Sequence, residues 1–118
     1  MVYRLTQGFP SHEQYGLTGQ IRRSAVSITA NIAEGAARQP RKEFMQFLHI
    51  SRGSLSELDT LIELARSLRY LTQQAWNTID SHLLNIDKTI TELIKHLKNI
   101  SHQTSRVRAS EDGEFPVK

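Results

Sequence analysis

From Trp76 to Ile100 the apolar side chains Trp76, Ile79, Leu83, Ile86, Ile90, Leu93, Leu97 and Ile100 recur at alternating steps of three and four. That spacing returns residues to one face of an α-helix, whereas a strand would return them at every second position. The resulting stripe is a narrow heptad seam. Thr72 carries a hydroxyl suited to capping the helix start, and the polar run from Asn99 to Ser105 is expected to end it. The spacing therefore predicts a helix over about 73–100.

Two earlier segments have the same period. Pro40 opens one of them, since the N–H that proline lacks would be unpaired in a first turn. Phe44, Leu48, Ser51, Leu55, Leu58, Ile62 and Ala65 form its seam, and Phe47, Leu61 and Leu68 widen it. A stripe this wide suits a globular bundle better than a two-stranded coiled coil. Gly53 sits mid-segment, where it costs about 1 kcal/mol relative to Ala. The pattern keeps its phase through Gly53, so close approach of another backbone is the expected reason, ahead of a bend. Ser54 and Glu57 also have capping-box spacing, which leaves a helix restart as the alternative.

The other segment runs from Leu17 to about Ala37, with Leu17, Ile21, Ala25, Ile28 and Ile32 on one face. Its ten residues from Ser24 to Ala33 carry no charge. A helix facing water normally shows a charged stripe, so this one is expected at the centre of the fold or at a subunit contact. Before it, Ser11 and Gln14 have capping-box spacing over a short turn after Phe9-Pro10.

Short connections after residues 37 and 71 make neighbouring helices antiparallel, giving an all-α, up-and-down helical bundle. Only a stub around Val2 to Leu5 is available for a fourth helix. Residues 1–100 read as one helical domain and 101–118 as a mobile polar tail. At 118 residues a single core is feasible and deep pockets are scarce. No apolar run approaches the roughly 20 residues of a membrane helix. The chain has no cysteine, which excludes disulfides, thiolate-bound zinc and iron–sulfur clusters and fits a reducing compartment. A cytoplasmic location is expected.

The stretch Tyr15-Gly16-Leu17, then Gln20-Ile21-Arg22-Arg23, Ser27 and Asn31-Ile32-Ala33-Glu34-Gly35, resembles the bacterial four-helix bundle protein family. Lys42-Glu43-Phe44, Phe47-Leu48, Arg52-Gly53-Ser54-Leu55 and Glu57-Leu58 extend the resemblance over roughly residues 3–100. The family includes proteins encoded within intervening sequences of large-subunit ribosomal RNA genes and is similar to the accessory variability protein of diversity-generating retroelements. The resemblance implies a four-helix protomer in a homopentameric ring, without established catalysis for most members. For the retroelement relative it implies binding of nucleic acid and a reverse transcriptase through a basic surface. Family members have a longer helix ahead of the Phe-Pro turn, so here the first helix is expected to be shortened or missing.

Catalytic chemistry finds little support in the residues. No glutamate is followed three positions later by histidine, as bundle di-iron sites require. Glu92 and His96 are one turn apart but lack further ligands, and His49 and His82 stand alone beside apolar seams. No nucleophile elbow or phosphate-cradling glycine loop occurs, Gly16 and Gly19 being isolated. No cofactor and no metal is expected, and the chain reads as a non-enzyme. Asn31 and Glu34 stand out in a charge-poor helix, yet a paired buried polar group is the favoured reading, since an unsatisfied one costs about 1–3 kcal/mol. Asn31 is expected to fix helix register, and Glu34 to pair with Arg38 four residues on.

Charge is uneven along the chain. Arg22, Arg23, Arg38, Arg41, Lys42 and Arg52 face only Glu34 and Glu43 between residues 20 and 52, a local +4, while residues 54–80 have a local −2. These six cations are the candidate nucleic-acid surface, which assembly would multiply. An ordinary solvated face, partly consumed by ion pairs, is the competing reading. Tyr15, Phe44 and Phe47 read as core or turn packing rather than a base-recognition pattern. The function expected is a noncatalytic, oligomeric interaction module for nucleic acid or a nucleic-acid-processing enzyme, with a protein-binding adaptor as the alternative.

Overall fold

A computed structural model of the protein describes the backbone of residues 1–114 and the side chains of residues 1–100. The helices are α1 (Val2–Thr6), α2 (Leu17–Ala36), α3 (Arg41–Ser67) and α4 (Gln73–Glu114), with one 3₁₀ turn at Ser11–Glu13. No strand occurs among the described residues. Ser27 of α2 meets Ser54 of α3, and Ser51 meets the Ile28 carbonyl, so the chain reverses between α2 and α3. Trp76–Glu63 and Arg52–Asp87 contacts show the same reversal between α3 and α4. The fold is an all-α bundle in which the helices pack together.

The central helix is α3, not α2. Both α2 and α4 pack on α3 and scarcely touch each other. Leu48, Ser51, Leu55, Leu58, Ile62 and Ala65 are buried along α3, as its seam predicts, but Leu68 is exposed at the helix end. On α4, Ile79, Leu83, Ile90, Ile94 and Leu97 are buried while Ile86 and Leu93 are partly covered. A straight helix drifts about 20° per heptad against a 3.5-residue repeat, so Ile94 turns inward as Leu93 turns away. The charge-free stretch of α2 buries Ile28 and Ser24 but leaves Val26, Thr29, Ala30 and Ala33 exposed. It lacks charge without being covered inside the protomer.

The ends of the helices follow local chemistry. Thr72 Oγ1 accepts the Ala75 N–H at 3.0 Å, capping α4 as expected. Pro40 is the residue before the first turn of α3, and its carbonyl accepts from Glu43 and Phe44. Arg69 closes α3 in the left-handed region at φ 62°, with Tyr70 N–H donating to the Ala65 carbonyl and Arg69 N–H to that of Arg66. Those two bonds make a Schellman motif, usually built with glycine at the position of Arg69. Ser11 and Gln14 form no side-chain cap. Instead Glu13 Oε1 accepts the Leu17 N–H at 3.4 Å, and Glu13 Oε2 accepts the Tyr70 hydroxyl at 2.9 Å.

Two further expectations fail. The polar run from Asn99 to Ser105 does not stop α4, which continues to Glu114, so residue 100 is not a helix end. Polarity does not break a helix; proline does, at about 3 kcal/mol, and α4 contains no proline. Of the expected mobile tail over 101–118, the side chains of 101–114 and the whole of 115–118 lie outside the described residues. Gly53 is not a point of close approach either: it is exposed, and a Cβ there would meet nothing within 4 Å. The close approach is at Gly35, where a Cβ would lie 2.6 Å from Phe47 Cβ and 3.0 Å from Phe44 Cδ1. α3 also runs unbroken through Ser54, which bonds to Ser27 instead of restarting the helix.

Candidate functional site

The six candidate cations divide into committed and free groups. Arg22 is held on α1: its Nε donates to Thr6 Oγ1 at 2.9 Å, its Nη2 to the Tyr3 carbonyl at 3.4 Å, and its guanidinium lies 4.7 Å from the Tyr3 ring centroid. Arg38 donates to Glu34 at 2.6 Å, approaches Glu43 at 3.8 Å and lies over Phe47. Arg52 faces Asp87 at 4.0 Å. Arg23, Arg41 and Lys42 form no ion pair among the described residues. They are also apart. Arg23 precedes the end of α2 by thirteen residues, about 20 Å along the axis, whereas Arg41 and Lys42 open α3. One continuous six-residue patch does not form.

The two polar candidates have structural partners. Glu34 takes the Arg38 pairing expected of it. Asn31 Nδ2 donates to the Ser27 carbonyl at 2.8 Å and Ser27 Oγ at 3.1 Å. Ser27 in turn reaches Ser54 at 2.8 Å, so Asn31 bears on the α2–α3 register only through Ser27. His49, His82, Glu92 and His96 are all exposed, and no three His, Cys, Asp or Glu side chains converge to hold a metal among the described residues.

Two surfaces escaped the reading of the residues. Because α2 and α4 diverge over α3, a groove of about 570 Å³ opens between them. Its floor and walls include Val2, Ala25, Ile28, Leu58, Leu83 and Ile86. Val26, 52% exposed, and Ala30 form its α2 lip, while α1 fills only the end near Met1 and Tyr3. Among the described residues, no ionisable side chain other than the Tyr3 phenol lines it. The charge-free decad signalled this surface, but the groove itself needs three helices in place. On the other flank of α4 lies a smaller cleft with Leu55, Leu84, Asp59, Asp80 and Asp87. Burial, then the charges of Asp80 and Glu63, hold the Asp59 carboxyl above its ordinary range.

The third surprise is Tyr15. Read as core or turn packing, it is 90% exposed at the corner ahead of α2, while Phe44 is partly buried against the core as expected and Phe47 is partly buried beside Gly35 and Arg38. A turn residue's exposure depends on which way the corner faces, and the sequence carries no periodic signal for that.

Fold and surfaces together define the class of this protein: an antiparallel α-helical bundle of the four-helix type with a five-residue first helix. The profile of the 23S rRNA-intervening sequence protein family matches residues 1–92, and the chain belongs to that family. A crystal structure of a protein of unknown function from the S23 ribosomal protein family of Bacteroides thetaiotaomicron is similar, with 28% identity and a TM-score of 0.72. The match covers 80% of this chain and 84% of that one. No curated protein matches the chain. Among the described residues, no helix is long and apolar enough to cross a membrane.

Proposed function

We infer that this protein is a noncatalytic helical interaction module working as a homo-oligomer, with the α2–α4 groove and the α2 lip as its assembly surface. The groove carries this reading. Over a buried floor of Ile28, Leu58 and Leu83, the side chains of Val26, Ala30 and Ile86 keep apolar surface in water, which forfeits about 25 cal/mol per Å². Apart from the α-amino group of Met1, the lip and groove carry no charged group among the described residues, so docking a helix there costs little ionic desolvation. The pentameric number comes from family resemblance, as does a partner such as a reverse transcriptase, and a cytoplasmic location belongs to the same reading. Light scattering at micromolar concentration should show a multimer, and Val26→Glu with Ala30→Glu should dissociate it while helical content persists. A monomeric parent of full helical content would refute the assembly reading.

A second reading has its own observation. Arg41 and Lys42 occupy the first turn of α3, where the helix macrodipole disfavours cations, and neither is neutralised by a described neighbour. With Arg23 they are the positions through which the assembled protein would contact nucleic acid. Such binding should fall steeply with salt and show little sequence preference. An unchanged salt slope after Arg41 and Lys42 are both replaced by Gln would remove them from that role.

A further inference from the structure

We propose that the corner carrying Tyr15 is a binding site for one unit of a single-stranded nucleic acid, Tyr15 stacking on a base and Arg23 contacting its phosphate. The proposal rests on the nucleic-acid reading above and gives it a location away from the start of α3. Tyr15 stands between the 3₁₀ turn and α2 with 90% of its surface in water. The corner beneath it is pinned. Phe9 and Tyr70 rings meet at 5.3 Å, the Tyr70 hydroxyl donates to Glu13, and Gly16 N–H donates to the Glu13 carbonyl at 3.0 Å. A held backbone presents the ring outward at a smaller ordering cost than a mobile loop would.

The cation is placed to match. A Cβ on Gly19 would lie 3.3 Å from a guanidinium nitrogen of Arg23, so that side chain runs back along α2 towards the corner. Gly19 leaves the path open, and a larger residue would also meet the Gln14 carbonyl at 2.8 Å. Arg23 has no ionic partner among the described residues. The carboxylate nearest the corner, Glu13, is already engaged by the Leu17 N–H and the Tyr70 hydroxyl. An exposed aromatic face at the corner and a guanidinium reaching back to Gly19, four residues further on, are the two groups that single strands use, because every base has a π-face and every phosphate an acceptor fork. Duplexes keep their bases stacked internally and gain nothing from Tyr15.

The test uses the full chain with a labelled oligouridine and a duplex RNA of equal length, titrated across a salt series. Tyr15→Ala should weaken oligouridine binding about tenfold, leave duplex binding within about twofold and keep the salt slope. Tyr15→Trp should restore the affinity. Arg23→Gln should lower the single-strand slope by about 0.7, the loss of one phosphate contact. Oligouridine affinity unchanged in Tyr15→Ala, with parental binding intact, overturns this site and spares the broader reading. A parent that binds neither probe at low salt overturns both. A Tyr15→Ala variant that changes oligomer mass but not affinity assigns the ring to a protein contact and also overturns the proposal.

Discussion

The sharpest contrast in the fold is between two helix glycines, and substituting each by alanine should move stability in opposite directions. Gly53 is exposed on α3 with no atom within 4 Å of the place an alanine methyl would take, so Gly53→Ala gains helix propensity alone, about 0.8–1 kcal/mol. Gly35 lies in the last turn of α2 against α3. Its added Cβ would sit 2.6 Å from Phe47 Cβ, an atom that cannot swing aside because it is fixed to the backbone. The helices must separate, and such overpacking costs about 1–3 kcal/mol. The propensity gain is smaller so near a helix end, so Gly35→Ala should be destabilising by about 1–2 kcal/mol. Trimming Phe44 to Leu removes the 3.0 Å contact but leaves the clash with the backbone-anchored Phe47 Cβ, so it should rescue little of the loss. Urea unfolding followed by circular dichroism reads both values, at two protein concentrations so that any coupled dissociation is visible. Gly35→Ala as stable as Gly53→Ala would refute the close α2–α3 approach.

Three further outcomes follow from the packing. Arg69→Gly relieves a left-handed residue that costs about 1–2 kcal/mol and loosens the unfolded chain by somewhat less, so thermal melting should rise slightly; a fall would show that the Arg69 side chain matters to the turn. The folded state binds a proton at Asp59 more tightly than the unfolded state, so Asp59 lowers stability as pH rises from 3.8 to its raised folded value and by a constant amount above that. Asp59→Asn should therefore stabilise the protein at neutral pH, with the gain vanishing below 3.8, as denaturant melts at both pH values will show. Ile79→Ala, at a position 1% exposed, should cost about 2–5 kcal/mol, and Ile86→Ala on the groove wall clearly less; equal costs in dilute protein would mean the groove is closed.

Most of the helical order was written in local spacing. The seams of α3 and α4, the Thr72 cap and the Glu34–Arg38 pair depend on residues three or four apart on one helix, a geometry the chain carries wherever that helix packs. The family resemblance named the bundle that those seams can build. Arg22, Arg38 and Arg52 show where this kind of legibility ends: their side chains find Thr6 and Tyr3 on α1, Phe47 on α3 and Asp87 on α4, across helices that sequence spacing does not align. Gly35 and Gly53 are indistinguishable as interruptions of a helical pattern, and only the neighbour brought up by another helix separates them. Tyr15 and the α2–α4 groove belong with them. The sequence by itself determined which residues share a helix face, because that follows from backbone geometry over a few residues. Which faces are covered was decided by tertiary structure, because cover comes from the relative placement of helices distant in the chain.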